Sequence, residues 1–322
     1  MDLNYYPYSL WLKRHYGEKV YKLPVNLPVT CPNRDGTLGF GGCIFCGEQG
    51  GGHETLSSKT SIREQIDTNK RYIGKRYNAK KFIPYFQSHT NTYLPLADFI
   101  KAVDESLVGP DIVGLSIATR PDTITDEQLR YLEEVQTQRH KDITIELGLQ
   151  TANDDTLKIL NRGHQCADFC LSARRVKEAG LRLCTHVILD LPWDNREDVL
   201  KTAQVLNKVQ SDFAKCHSLY IVKESRLHEM YANQEVPLLD ESEFIHRCIL
   251  FLTHLNPDTA IQRLVGRVPE EFSVVANWHK SWWKVRDNLE AQMMRQGNFQ
   301  GQYYTKYEEN EDGRKNADYN KQ

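Results

Sequence analysis

The chain has 322 residues and a formal net charge of −2, from 41 basic and 43 acidic side chains. That balance excludes a strongly basic nucleic-acid binder, though not a local basic patch. The start of the chain carries no signal-peptide pattern and no stretch nears the ~18 apolar residues of a membrane span, so a soluble, cytoplasmic protein is expected.

The first expected helix, 9–16, stops at Gly17. Residues 20–29 read as extended, because Pro24 and Pro28 forbid a helix interior, and they deliver Cys31 at their end. Segment 31–46 then reads Cys-Pro-Asn-Arg-Asp-Gly-Thr-Leu-Gly-Phe-Gly-Gly-Cys-Ile-Phe-Cys. Its glycines let backbone pass close to a bulky ligand. Eight cysteines in such a chain point to metal or catalysis rather than disulfides. Cys31, Cys43 and Cys46 leave two alternatives open. With His53 they would close a four-ligand zinc site. Alone they would hold a four-iron cluster with one iron unliganded by protein. Cys166 and Cys170, at i and i+4 of a later helix, are a weaker metal pair, and a free cysteine is more often a small buried apolar residue.

Residues 61–77 read as a helix with a Ser61/Glu64 capping box. Lys70, Arg71, Lys75, Arg76, Lys80 and Lys81 lie in and just after it, interleaved with Tyr72 and Tyr77, a pattern suited to phosphate contacts and base stacking. Short apolar runs follow at 82–86, 112–117, 143–149, 183–189 and 218–222, and helices are expected at 96–107, 126–138, 154–160, 167–179 and 195–210. Strands that are apolar throughout are buried on both faces, so this alternation predicts a parallel sheet with helices outside. Curled, it is a partial, TIM-like (β/α)6 barrel, whose chemistry would gather at the carboxyl ends of the strands. The polar clusters 87–93, 118–122, 150–151 and 161–164 fall at or just beyond those ends. Beyond Glu241 the pattern predicts a helix over 243–255, an irregular stretch with Gln262, Arg263 and Gly266, and a long helix over 270–294 whose Trp278, Trp282 and Trp283 pack on the barrel. The expected organisation is a lead-in (1–24), a core barrel (25–238), a C-terminal helical extension (239–298) and a disordered polar tail (299–322).

Cys31, Cys43, Cys46 and the intervening Phe45 resemble the cluster loop of radical S-adenosylmethionine (SAM) enzymes. The long first spacing and the flanking Leu-Pro-Val-Asn-Leu-Pro-Val-Thr-Cys-Pro-Asn-Arg-Asp-Gly-Thr are similar to the YtqA/YhcC type, related to the Elongator catalytic subunit. The resemblance implies a [4Fe-4S] cluster on the three cysteines. It implies SAM on the open iron, cleaved reductively to a 5′-deoxyadenosyl radical. It also places Gln87, Ser88, His89 and Thr90 near the SAM ammonium, and Gln150, Arg162, His186 and Glu146 among the further cofactor contacts, with His164 as another candidate. Two positions depart from the family pattern. Ala118 stands where an acid is common, a task that would pass to Glu146, and Trp193 replaces a glycine at the end of strand five. As partners the resemblance implies tRNA, in wobble-uridine modification, and a reductant such as flavodoxin or ferredoxin. A peptide or small-molecule substrate is the alternative. No acetyltransferase domain is expected after the barrel.

Overall fold

The computed structural model describes residues 4–47, 50 and 55–306. His53 lies outside them. In the first half of the chain, α1 (Tyr8–Tyr16), β1 (Val20–Val25), α2 (Ile62–Tyr77), β2 (Lys81–Phe86), α3 (Leu96–Ser106), β3 (Gly114–Thr119), α4 (Asp126–Arg139) and β4 (Asp142–Gln150) follow one another. Next come α5 (Asp154–Ile159), α6 (Cys166–Glu178), β5 (Arg182–Ile188), α7 (Arg196–Lys208) and β6 (Phe213–His217). Local chemistry sets many of these ends. Gly17 and Gly180 take left-handed conformations just past α1 and α6. Thr125 and Gln128 form a reciprocal capping box on α4, and Ser61 accepts the Glu64 amide at the start of α2.

Among the described residues the main sheet has seven parallel strands in the order β1-β2-β3-β4-β5-β6-β8, where β8 is Ala260–Arg263. Most are apolar on both faces, as expected, and curl into the partial barrel. Phe86, Phe99, Phe169 and Phe251 are completely buried between sheet and helices, each contributing about 1.5–3 kcal/mol of apolar burial. The two edge strands approach each other where Lys22 Nζ of β1 donates to Gln262 Oε1 of β8 at 2.9 Å. Helix α1 plugs the barrel below that point. Its Tyr8 and Leu12 pack with Val20, Ile83, Cys184, Phe213 and Ala260, and Tyr8 meets the Phe213 ring edge-on at 4.9 Å.

Three expectations for the second half are corrected. The sixth strand is β6 at Phe213–His217, not 218–222; of the latter, β7 (Ile221–Val222) pairs antiparallel with β9 (Ser273–Val275) outside the barrel sheet. The stretch expected to be irregular contains β8. The long helix expected over 270–294 is instead β9, a 3-10 turn (Asn277–His279) and α10 (Trp282–Gln296). A search for apolar runs passes over β6 and β8 because Lys215, His217, Gln262 and Arg263 are polar. Trp278 packs against Phe244 with the rings tilted at 42° and donates to the Leu239 carbonyl, and Trp282 packs on the core, whereas Trp283 stays exposed. Helices α8 (Arg226–Ala232) and α9 (Glu241–His254) complete the described elements. Residues 299–306, the described part of the expected tail, include the buried Gln300, whose Nε2 donates to the Asn256 and Thr259 carbonyls at 2.8 Å.

Candidate active site

One pocket opens at the carboxyl ends of the strands, and Cys31, Cys43 and Cys46 all line it. Their loop is fixed from two sides. The Cys46 amide bonds the Cys43 carbonyl, and Arg34 bonds the Cys46 and Gly47 carbonyls. From the strand-four side, Asn33 and Asn161 tie the loop to the turn after α5: Asn161 Nδ2 donates to the Gly42 carbonyl at 2.8 Å. Gly47 has no room for a side chain, since a Cβ there would lie 2.6 Å from Val222 Cγ1.

Arg162 links this loop to the sheet. Its Nη1 lies 3.3 Å from Cys43 Sγ and its Nη2 donates to the Gly148 carbonyl at 2.8 Å. A hydrogen bond from Cys46, then the charge and hydrogen bond of Arg162, hold the buried Cys43 thiol well below its ordinary pKa against the opposing effect of burial. The guanidinium beside Cys43 Sγ favours its thiolate form. Gly148 leaves room for two side-chain ends: a Cβ there would approach Gln150 Nε2 to 2.8 Å and Arg162 Nη2 to 3.0 Å and make them shift.

The other expected residues divide by position. Gln87, His89, Thr90, Gln150 and Arg162 line the pocket mouth beside the cysteines. His89 and Gln150 adopt positive φ, 55° and 75°, backbone strain of a kind that gathers at functional sites. His89 Nδ1 is buried beside Gly50 and has no hydrogen-bond partner among the described residues. Ser88 is buried outside the lining, its Oγ 3.4 Å from Thr55 Oγ1. His164 is likewise outside it, its Nε2 accepting from Arg162 Nε at 3.2 Å. Trp193 does not crowd the mouth: it packs half-buried in a satellite core with Ile44, Leu160, Ile188 and Leu191.

Glu146 and His186 lie one layer deeper, on the floor. The Glu146 carboxylate receives Lys22, Lys215 at 3.2 Å and His186 Nε2 at 2.7 Å. Burial alone would raise its pKa; Lys215, Lys22 and His186 together hold it well below the carboxylate range. Burial pushes the His186 pKa down to about 4, with the Lys215 charge assisting, so His186 is neutral at pH 7. Glu146 sits beside Ala118 in the strand register, but both its oxygens are already engaged by the floor. Sequence reasoning missed Lys22, Tyr85, Lys215, His217 and Arg263. The signal for several of them was present, as polar residues at alternate positions of short strands.

The basic stretch around Lys70–Lys81 is at the other end of the barrel. Lys80 immediately precedes β2, whose far end delivers Gln87 to the mouth. Lys70 pairs with Asp111 at 2.8 Å and Lys81 with Glu18 at 2.9 Å, while Arg71, Lys75, Arg76 and Lys80 are exposed. The cluster loop instead exposes Leu38 and Phe40, both outside the pocket lining, the latter 80% exposed. Cys166 and Cys170 are half-buried on α6, away from this pocket.

Comparison with known proteins gives one consistent result. Residues 26–206 match the model of the Radical SAM superfamily, and 211–295 match that of the Radical SAM C-terminal domain. An uncharacterized protein of Methanocaldococcus jannaschii is 35% identical over 297 residues, covering 91% of this chain and 90% of the relative. The uncharacterized protein YtqA of Bacillus subtilis is 28% identical over 308 residues, covering 96% and 95%. A shorter likeness, 25% over 136 residues, is to a tRNA uridine(34) acetyltransferase of Methanocaldococcus infernus, covering 41% of this chain and 24% of that protein. Among solved structures, an N-terminally deleted Elp3 of the same archaeon superposes with a TM-score of 0.64 at 17% identity, over 87% of this chain and 64% of that one. The chain thus spans just under two thirds of that structure, which is a likeness of fold.

Proposed function

The chain belongs to the radical SAM superfamily, whose members use a [4Fe-4S] cluster and SAM, and on that premise we propose that Cys31, Cys43 and Cys46 are the cluster ligands of a tRNA-modifying enzyme. The observation that carries this reading is the convergence of three thiols, one of them 3.3 Å from the Arg162 guanidinium, on one pocket at the carboxyl ends of the strands. Three soft thiolates suit an iron–sulfur cluster with one open iron. When bound, the cluster would supply the electron for reductive cleavage of SAM, and with it the power to remove a hydrogen atom from the substrate.

The chain's own residues orient and shield that chemistry. Arg162 fixes Cys43 and ties the loop to β4. Gln87, His89, Thr90 and Gln150 offer hydrogen bonds to the amino acid and ribose of SAM. Ser88, turned into the protein, supports that turn from behind, and Glu146 and His186 act from the floor rather than at the mouth. The exposed Phe40 of the cluster loop offers a ring face on which a nucleobase can stack.

The tRNA assignment, with the wobble uridine as the target base, rests on the likeness to the tRNA uridine(34) acetyltransferase. Reduced flavodoxin or ferredoxin is the electron source in this reading. The test is anaerobic purification with counts of iron, sulfide and zinc, followed by assay of 5′-deoxyadenosine with and without tRNA. About four irons per chain, lost in Cys43→Ala, and 5′-deoxyadenosine formation stimulated by tRNA are expected. A colourless protein with one tightly held zinc would overturn the cluster; stimulation by a peptide but not by tRNA would overturn the substrate.

A further inference from the structure

We propose that the floor of this pocket is a receptor for an anionic group of the substrate, a carboxylate or a phosphate, held by Lys215 and Arg263 with His217 beside them. The inference rests on the reading of this pocket as the reaction site and names the chemistry its substrate must carry.

The charges on the floor do not balance. Glu146 is the one carboxylate that lines the pocket among the described residues, and two ammonium groups, Lys22 and Lys215, already share it. Arg263 adds a third cation and makes no ion pair with an acid among the described residues. Arg263 is half-buried; its Nη2 lies 2.8 Å from His217 Nδ1, and its buried Nε has no hydrogen-bond partner among the described residues. A guanidinium facing an imidazole gains nothing from a charged histidine, and burial, the Arg263 charge and neighbouring His186 hold His217 well below its ordinary pKa. Two positive charges are left over.

The cations nearer the cysteines are otherwise engaged. Arg34 bonds the Cys46 and Gly47 carbonyls, Arg120 forms a two-pronged pair with Asp122 at 2.8 and 2.9 Å, and Arg162 holds Cys43. The cofactors do not correct the imbalance: SAM carries one net positive charge, and an oxidised [4Fe-4S] cluster on three thiolates one net negative, so together they bring none. Keeping uncompensated cations away from water is costly. That cost is offset when an anion arrives, and a carboxylate or phosphate bridging a lysine and an arginine makes the strong, charge-assisted hydrogen bonds. Such a group anchored on β6 and β8 would set how deep the substrate enters and so which of its hydrogens faces the cluster loop.

The experiment is isothermal titration of the anaerobically reconstituted protein, saturated with SAM, using inorganic phosphate, N-acetylglycine and the neutral N-acetylglycinamide at constant ionic strength. One of the two anions is expected to saturate at one per chain while the amide does not bind. Preference for phosphate identifies a phosphoryl group, and preference for N-acetylglycine a carboxylate. The affinity falls at least ten-fold in Arg263→Gln and returns towards wild type in Arg263→Lys. Absence of saturable binding to wild type, unchanged binding in a folded Arg263→Gln, or anion binding that appears only without SAM overturns the inference, the last by assigning the receptor to the cofactor's own carboxylate. The wild-type titrations decide the matter even if Arg263→Gln does not fold. Iron counts are read separately: a cluster-loaded, SAM-cleaving enzyme that ignores both anions refutes this inference alone, and a zinc protein refutes the earlier reading alone.

Discussion

Replacing Glu146 by Gln tests the floor directly, because it removes charge and keeps shape. In the wild type the Glu146 side chain is fully buried, and those of Lys22 and Lys215 are only 18% and 11% exposed. Burial already pushes the Lys215 pKa down to about 8 from 10.5, even with Glu146 pulling it up. At about 1.4 kcal/mol per pH unit, that is ~3 kcal/mol spent holding one ammonium at neutral pH. In Glu146→Gln, two ammonium groups lose their counter-charge, and breaking a buried pair in this way costs about 3–5 kcal/mol. With an unfolding entropy of ~2 cal/mol/K per residue over 322 residues, the melting temperature should fall by about 4–7 °C. The double variant Glu146→Gln/Lys215→Met removes one stranded ammonium and should regain a large part of that loss. The assay is thermal unfolding by circular dichroism at pH 7.5. A single variant melting within 1 °C of wild type would refute the reasoning. The pH dependence supplies the sign: Glu146 has a depressed folded pKa, so its stabilisation is complete above the unfolded carboxylate value and is lost as pH falls through the folded one. The gap between wild type and Glu146→Gln therefore closes in acid.

Gly148→Ala puts a methyl 3.0 Å from Arg162 Nη2, displacing the guanidinium from Cys43; iron content after anaerobic reconstitution should fall at least two-fold with a melting temperature near that of wild type. Reversing Arg71, Lys75, Arg76 and Lys80 to Glu should, if that surface grips tRNA, lower the slope of log affinity against log salt by about 3. Turnover on an isolated anticodon stem-loop should be unchanged, since the patch lies opposite the mouth; an unaltered slope would remove the patch from the interface. Phe40→Ser, at the exposed tip of the cluster loop, should weaken stem-loop binding by about 1–3 kcal/mol if a base stacks there, read by fluorescence anisotropy, and leave the iron count intact.

The cysteine loop and the barrel were legible in the sequence because both are written locally. Three cysteines within residues 31–46, and apolar runs alternating with capped helices, need no knowledge of distant neighbours. Gln87, His89, Thr90, Gln150 and Arg162, which the family resemblance singled out, line the pocket because the carboxyl ends of the strands of a parallel barrel face one opening. The floor was not legible, for a physical reason. Lys22 stands 124 positions before Glu146 and Lys215 69 positions after it, and only the curl of the sheet, which brings β1 against β8, makes them neighbours. The same inward polar side chains hid β6 and β8 from any search for apolar runs. Helix direction settled the basic stretch in the same way: the sequence showed that Arg71 to Lys80 are charged, but antiparallel packing of α2 on β1 put them at the end of the barrel away from the cysteines. Residue types and short spacings fixed the chemistry this chain can carry. Which charges meet, which remain unbalanced and which face the pocket followed from tertiary closure, because the energy of a buried charge depends on what surrounds it in space.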